Sequence, residues 1–300
     1  MKFPYLHPTD LLTPTKRERL TRHPVVVLLL FLVLSEVIEL GRRGLFRAGY
    51  VWIPNGKTIA GQLLIQLFAT LWTVICVLLY CLLAERRTFA SLGLTGRFWA
   101  AEYGVGLVGG FTMFGSAVLL TVVTGTVTLT PAESPPSLLL LLLFFIGFLI
   151  QGMSEELMCR SYLMISLSRK LPLWACVTGN ALLFSILHTG NPNISFIALL
   201  NIFLFGVFAS VLTLRRGSIW MIGALHSMWN FAQGNLFGIP VSGLTGLPSP
   251  LTASIGEGEW QTLISGGAFG LEGGLAVTAV LLISCALVIF LPGFPKKSNA

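Results

Sequence analysis

Long apolar runs separated by short polar or basic stretches dominate this chain. A helix that crosses a bilayer needs about 20 consecutive, mostly apolar residues. By that measure the pattern predicts eight spans, at 25–40, 60–84, 103–124, 138–168, 172–190, 194–214, 218–236 and 274–292. The first is short, and the fourth is longer than a bilayer requires, which predicts tilt or protrusion. The expected class is an all-α membrane protein of about eight transmembrane helices, with no soluble domain set apart from them. No internal repeat of the inverted kind that builds many transporters is visible.

Composition supports this reading. Of 300 residues, 54% are hydrophobic and only 10% charged, whereas soluble domains carry about 25% charged residues. Mean hydropathy is +0.83. The net charge of +7 sits between the apolar runs and is not interleaved with exposed aromatics, so it points to topology and not to nucleic acid. With the N-terminus inside, 15 Lys and Arg residues fall on the inner side and 4 on the outer (Arg42, Arg43, Arg47 and Lys57). The positive-inside rule then predicts an integral cell-membrane protein with both termini cytoplasmic. The N-terminal cations Lys16, Arg17, Arg19 and Arg22 resemble a signal-peptide head, but no small-residue cleavage site follows and the run is expected to stay as the first span. The cysteines (Cys76, Cys81, Cys159, Cys176 and Cys285) fall in apolar runs without ligand-like spacing and are expected to pack as small apolar groups. The outer loop at 237–273 is rich in Gly, Pro and Ser. It is expected to be flexible or re-entrant, or to act as a lid. Its Gly266-Gly267-Ala268-Phe269-Gly270 stretch opens no strand–helix unit and does not read as a nucleotide-binding turn.

Ionisable residues inside spans are costly and mark function by default. Glu36 and Glu39 lie near a helix end and are expected to reach the interface. In the fourth span, Glu156 and Arg160 are i, i+4 and share a helix face, where opposite charges pair. Glu155 is turned about 100° from Glu156, without that partner, and is the candidate base. Counted from the charged turns at about 1.5 Å per residue, Glu155 and His188 lie roughly 21–24 Å deep, and His226 and Asn230 roughly 15 and 21 Å. His226 and Asn230 are themselves i, i+4, and Phe184 sits one turn before His188. The groups therefore fall at similar depth, as a site would require.

Elimination narrows the chemistry. Asp10 is the only aspartate, so an aspartyl dyad is impossible. No His-Glu-x-x-His zinc motif and no Gly-x-Ser-Gly serine motif occurs. A glutamate-and-histidine site remains, with a proton- or ion-coupled transporter as the rival reading.

The motifs Glu155-Glu156…Arg160, Phe184…His188 and His226…Asn230, in that order and each on a predicted span, resemble the CPBP (CAAX protease and bacteriocin-processing, or Abi) family of intramembrane proteases, which includes the Rce1-like prenyl-protein endopeptidases. The resemblance covers about 137–236. It divides the chain into an N-terminal membrane region (1–136), a catalytic core (137–236) and a Gly-rich loop with the last span (237–300). It implies an eight-helix bundle around an intramembrane cavity. The implied activity is cleavage of a peptide bond in a membrane-associated or lipidated protein or peptide. The roles implied are Glu155 with His188 activating water, His226 and Asn230 stabilising the oxyanion, and Glu156, Arg160 and Phe184 supporting them. Either no cofactor or a zinc held by Glu155, His188 and His226 fits the resemblance, and the lack of a compact ligand motif favours the metal-free form. A silent relative serving as scaffold or immunity protein is the other alternative. The partners expected are the bilayer and a protein or peptide substrate, not nucleic acid.

Overall fold

The structure, a computed structural model, describes residues 11–12, 23–94 and 98–291. The N-terminal cations Lys16, Arg17, Arg19 and Arg22 lie outside the described residues, as does residue 292 at the end of the last expected span.

Helix α1 (Pro24–Trp52) begins with Pro24 in its first turn, where a missing N–H and a fixed φ suit the helix. It was expected to end near 40, but it continues through Arg42, Arg43 and Arg47 because no helix breaker occurs before Pro54-Asn55-Gly56. Thr58 caps α2 (Ile59–Ala84), its hydroxyl accepting the Gly61 N–H at 3.0 Å. Helix α3 (Trp99–Val123) follows. Ser137 caps α4 (Leu138–Leu167), which is α-helical to Glu156 and widens into a π turn over Leu157–Met164. Helix α5 (Leu173–Leu187) starts after Pro172. Helix α6 (Phe196–Arg216) runs from a Ser195 cap to Gly217, whose φ of 67° lies in the left-handed region, a conformation that favours glycine. Helix α7 (Trp220–Phe231) continues as a π turn to Leu236. After a short α8 (Glu259–Ser265), α9 (Leu275–Phe290) closes the described chain.

Among the described residues five helices, α1, α2, α3, α4 and α6, are long and apolar enough to cross a bilayer, and α5 and α9 are shorter apolar helices. Their outer faces carry exposed Leu, Val, Ile and Phe, among them Leu40, Leu83, Val123, Leu138, Ile283 and Phe290. In water such a surface would be a liability; in lipid it is the expected belt. The chain is a multi-pass integral membrane protein. The eight expected spans thus become five long helices, the shorter α5 and α9, and α7 with its π turn. Arg160, counted among the inner-side charges, is 0% exposed inside the bundle and contributes nothing to a loop charge bias.

The all-α expectation needs one correction. Strands β1 (Val127–Pro131) and β2 (Leu251–Ile255) form an antiparallel ribbon, with Val127 opposite Ile255 and Leu129 opposite Ala253. Both segments alternate polar and apolar residues, the period of a strand. The 237–273 loop is likewise folded. Glu272 accepts the N–H and hydroxyl of Ser242 at 2.8 and 2.7 Å, and the Asn201 amide on α6 donates to the Glu272 and Gly274 carbonyls at 2.8 and 2.9 Å. These bonds lash the loop to α6.

Helix α7 is held by close approach. A Cβ at Gly106 or Gly110 of α3 would collide with the carbonyl oxygens of Met221 and Leu225. One at Gly152 of α4 would sit 2.7 Å from the Ser227 backbone nitrogen. Small residues at helix contacts let backbones meet in this way. Gly152→Val is expected to destabilise the protein by roughly 1–3 kcal/mol through overpacking, read as a lower unfolding midpoint in detergent. Gly104→Val, which meets nothing within 4 Å, should leave that midpoint in place.

Candidate active site

The centre of the polar cluster is one oxygen. Oε1 of Glu156 accepts from Arg160 Nη1 at 3.2 Å and from His226 Nδ1 at 2.8 Å. The first bond joins residues one turn apart on α4, and the second reaches across to α7. Glu156 and Arg160 are both 0% exposed. The Arg160 guanidinium also stacks over the Phe184 ring, 4.4 Å from its centroid, a cation–π contact that strengthens when desolvated. Phe184 in turn lies 4.8 Å from the His188 ring and 6.2 Å from the His226 ring, centroid to centroid. The phenylalanine one turn before His188 thus braces the arginine and both histidines.

Glu155, one residue earlier, faces a different way. Gln151 Nε2 donates to its Oε1 at 2.6 Å, and Asn230 Nδ2 donates to Gln151 Oε1 at 3.0 Å. Its other oxygen, Oε2, has no hydrogen-bond partner and lies 3.8 Å from His226 Nε2. Because the Glu156 carboxylate occupies Nδ1, that nitrogen carries a proton and Nε2 is the end of His226 aimed at Glu155. His188 closes α5, its Nδ1 donating to the Phe184 carbonyl at 2.8 Å, which leaves its Nε2 as an acceptor.

Glu155, Phe184, His188, His226 and Asn230 all line one cavity of about 530 Å³. The five residues come from α4, α5 and α7, as the depth reckoning anticipated. Glu156 and Arg160 are not among the lining residues; they lie behind the wall.

Residues 136–232 match the protein family described as type II CAAX prenyl endopeptidase, Rce1-like. The chain carries an Rce1-like domain. That family is a protease family, so the chain is an enzyme of the peptidase class. No curated protein is significantly similar to it.

Several cavity residues lie outside the Rce1-like domain and escaped the sequence reading. Glu36 and Glu39, assigned to the interface, line the cavity together with Ser35, Ile38 and Arg42. Positions 35, 38, 39 and 42 form an i, i+3, i+4, i+7 stripe, which marks one helix face and was legible in principle. Asn201, Ser242 and Glu272 bring the folded loop to the same cavity. Gln151, inside the Rce1-like domain, was missed because it is neutral, although it stands i, i+4 from Glu155. A second buried cluster supports the π turn from the other side. Arg87 donates to the carbonyls of Ser91 and Ser161 at 2.6 and 2.8 Å, and Ser161 donates to the Leu92 carbonyl at 2.6 Å.

The donor set does not fit a zinc centre. Among the described residues no group of three His, Cys, Asp or Glu side chains gathers closely enough to hold a metal ion.

Breaking the buried pair has a defined cost. Glu156→Leu strands Arg160 in the bundle and is expected to destabilise it by about 3–5 kcal/mol. Glu156→Leu with Arg160→Met should recover much of that loss without recovering activity, in parallel denaturation and cleavage measurements.

Proposed function

We propose that the chain is an intramembrane endopeptidase that hydrolyses a peptide bond of a membrane-associated or lipidated protein or peptide, with Glu155 as the base. The observation that carries this reading is the pair of adjacent glutamates. One is fully buried and locked through its Oε1 to Arg160 and His226, and the other lines the cavity with 31% of its side chain exposed. The same arrangement lies inside the matched Rce1-like region.

In this mechanism a water sits between Glu155 Oε2 and His188 Nε2, both of which accept its protons. Glu155 removes one proton as the oxygen attacks the substrate carbonyl. The carbonyl becomes a tetrahedral oxyanion, and the C–N bond breaks as Glu155 returns the proton to the leaving nitrogen. His226, its Nδ1 held by Glu156 and its Nε2 facing Glu155, supports the oxyanion through Nε2–H when both ring nitrogens carry protons. Asn230 offers the second amide proton that Gln151 does not use. Such donors act most strongly where water is excluded. Gln151 orients Glu155 and Asn230 together. The residues 137–236 form the catalytic core of this reading, and the loop and α1 complete the substrate cavity.

The test is cleavage of a lipidated fluorogenic peptide by purified protein. Glu155→Gln and His226→Ala are each expected to lower kcat at least about a hundredfold, the scale of losing a base or an oxyanion donor. Equal rates in wild type and both variants would overturn the assignment. We also infer that both termini are cytoplasmic; a cysteine placed at Lys57 should then react with an impermeant thiol reagent in intact cells, in a chain stripped of its other cysteines.

A further inference from the structure

Helix α1 contributes an arginine to a cavity otherwise lined by four glutamates and two histidines. Arg42 is 37% exposed at its side chain and lines the cavity that holds Glu155, His188, His226 and Asn230. Its own contacts leave it poorly engaged. Nη1 lies 3.6 Å from Glu39 Oε2, beyond hydrogen-bond length, while Glu39 gives its short bond, 2.9 Å, to Arg43 Nε. Arg42 Nε is buried and has no acceptor. A guanidinium with unmet donors matches a carboxylate in shape and charge. The lining carboxylates Glu36, Glu39, Glu155 and Glu272 repel an anion, and His226 already faces Glu155 at 3.8 Å, so Arg42 is the guanidinium on the wall that can select one.

We propose that Arg42 is an anion receptor on the cavity wall, binding a carboxylate of the substrate peptide, either its C-terminus or an acidic side chain. Glu39 acts as the resting counter-ion that an incoming carboxylate displaces. The bound carboxylate fixes how far the chain threads past Glu155 and so which peptide bond meets the base. This inference rests on the peptidase reading above.

The experiment measures binding to the full chain in nanodiscs of zwitterionic lipid, in the Glu155→Gln background so that nothing turns over. Three fluorescent apolar peptides serve as probes: one with a free C-terminus, its C-terminal amide, and that amide with one added Asp. One of the two anionic peptides is expected to bind about tenfold to a hundredfold tighter than the neutral amide, the usual weight of hydrogen bonds to a charged group. Which one it is identifies the source of the carboxylate. Arg42→Gln should bring that peptide down to the level of the neutral amide and leave the amide unchanged. Glu39→Gln should tighten the anionic peptide, an effect that a purely structural ion pair would not produce. Three peptides that bind alike or not at all, or a preference that survives Arg42→Gln, would overturn the inference. An Arg42-dependent preference in a protein whose wild type cleaves none of the peptides would instead overturn the peptidase reading and leave the receptor standing.

Discussion

Everything in the site depends on the Glu156 carboxylate being buried between two partners. Taking a carboxylate and a guanidinium out of water costs several kcal/mol per ion even after relaxation. Their attraction offsets that cost only with good geometry and further hydrogen bonds. Here the geometry comes from α4 itself, because residues 156 and 160 share a face. The further hydrogen bond comes from His226 on α7, and the ring beneath Arg160 comes from α5. The ion pair therefore gains these contacts only when three helices are in place, and even then Glu156 Oε2 and Arg160 Nε and Nη2 stay without hydrogen-bond partners. That requirement explains the glycines: α7 must sit against α3 and α4 at backbone distance to bring His226 within 2.8 Å of Glu156. A larger residue at Gly152 would displace the histidine as well as the helix.

The π turn after Glu156 is part of the same solution. A π segment inside an α-helix is rare and concentrates at functional sites. Here it begins one residue beyond the glutamates and carries Arg160. A widened turn leaves backbone groups without their usual intrahelical partners, and buried carbonyls need donors. Arg87 and the Leu92 carbonyl meet the segment at Ser161. The stretch between α2 and α3, outside the Rce1-like region, thus supports the turn that shapes the site. The boundary of the recognisable domain is not the boundary of the structure that makes it work.

What could be read from the sequence follows from the range of each interaction. The Glu156–Arg160 pair is local, set by the helical repeat, and the spacing alone gave it. The meeting of Glu155, His188, His226 and Asn230 at one cavity needed only the rough depth of each helix, and an error of a few ångströms from the π turn did not matter. The Glu156–His226 bond was not legible, because it depends on how α7 is rotated against α4. Assigning Glu156 to Arg160 alone missed that its oxygen serves two donors. The ribbon of Val127–Pro131 with Leu251–Ile255 was hidden by a hydropathy reading that averages over the short polar–apolar alternation. The polar stripe on α1 was set aside because charge near a helix end is usually solvated, and nothing local says that α1 lines a cavity.

The division of labour between Glu155 and Glu156 has a geometric origin. Two adjacent residues on a helix diverge by about 100°, so they cannot both face the bundle interior. One is enclosed and its charge is neutralised on two sides. The other is turned toward the cavity, where its side chain keeps 31% exposure and an oxygen without a partner. A buried ion pair by itself accounts for the first glutamate and leaves the second unexplained. The second accepts from Gln151, which accepts from Asn230, so the two groups assigned to opposite ends of the reaction are set by one amide. Helical phase thus separates a carboxylate that holds the fold from a carboxylate free to act, and a single glutamine ties the free one to the oxyanion side of the cavity.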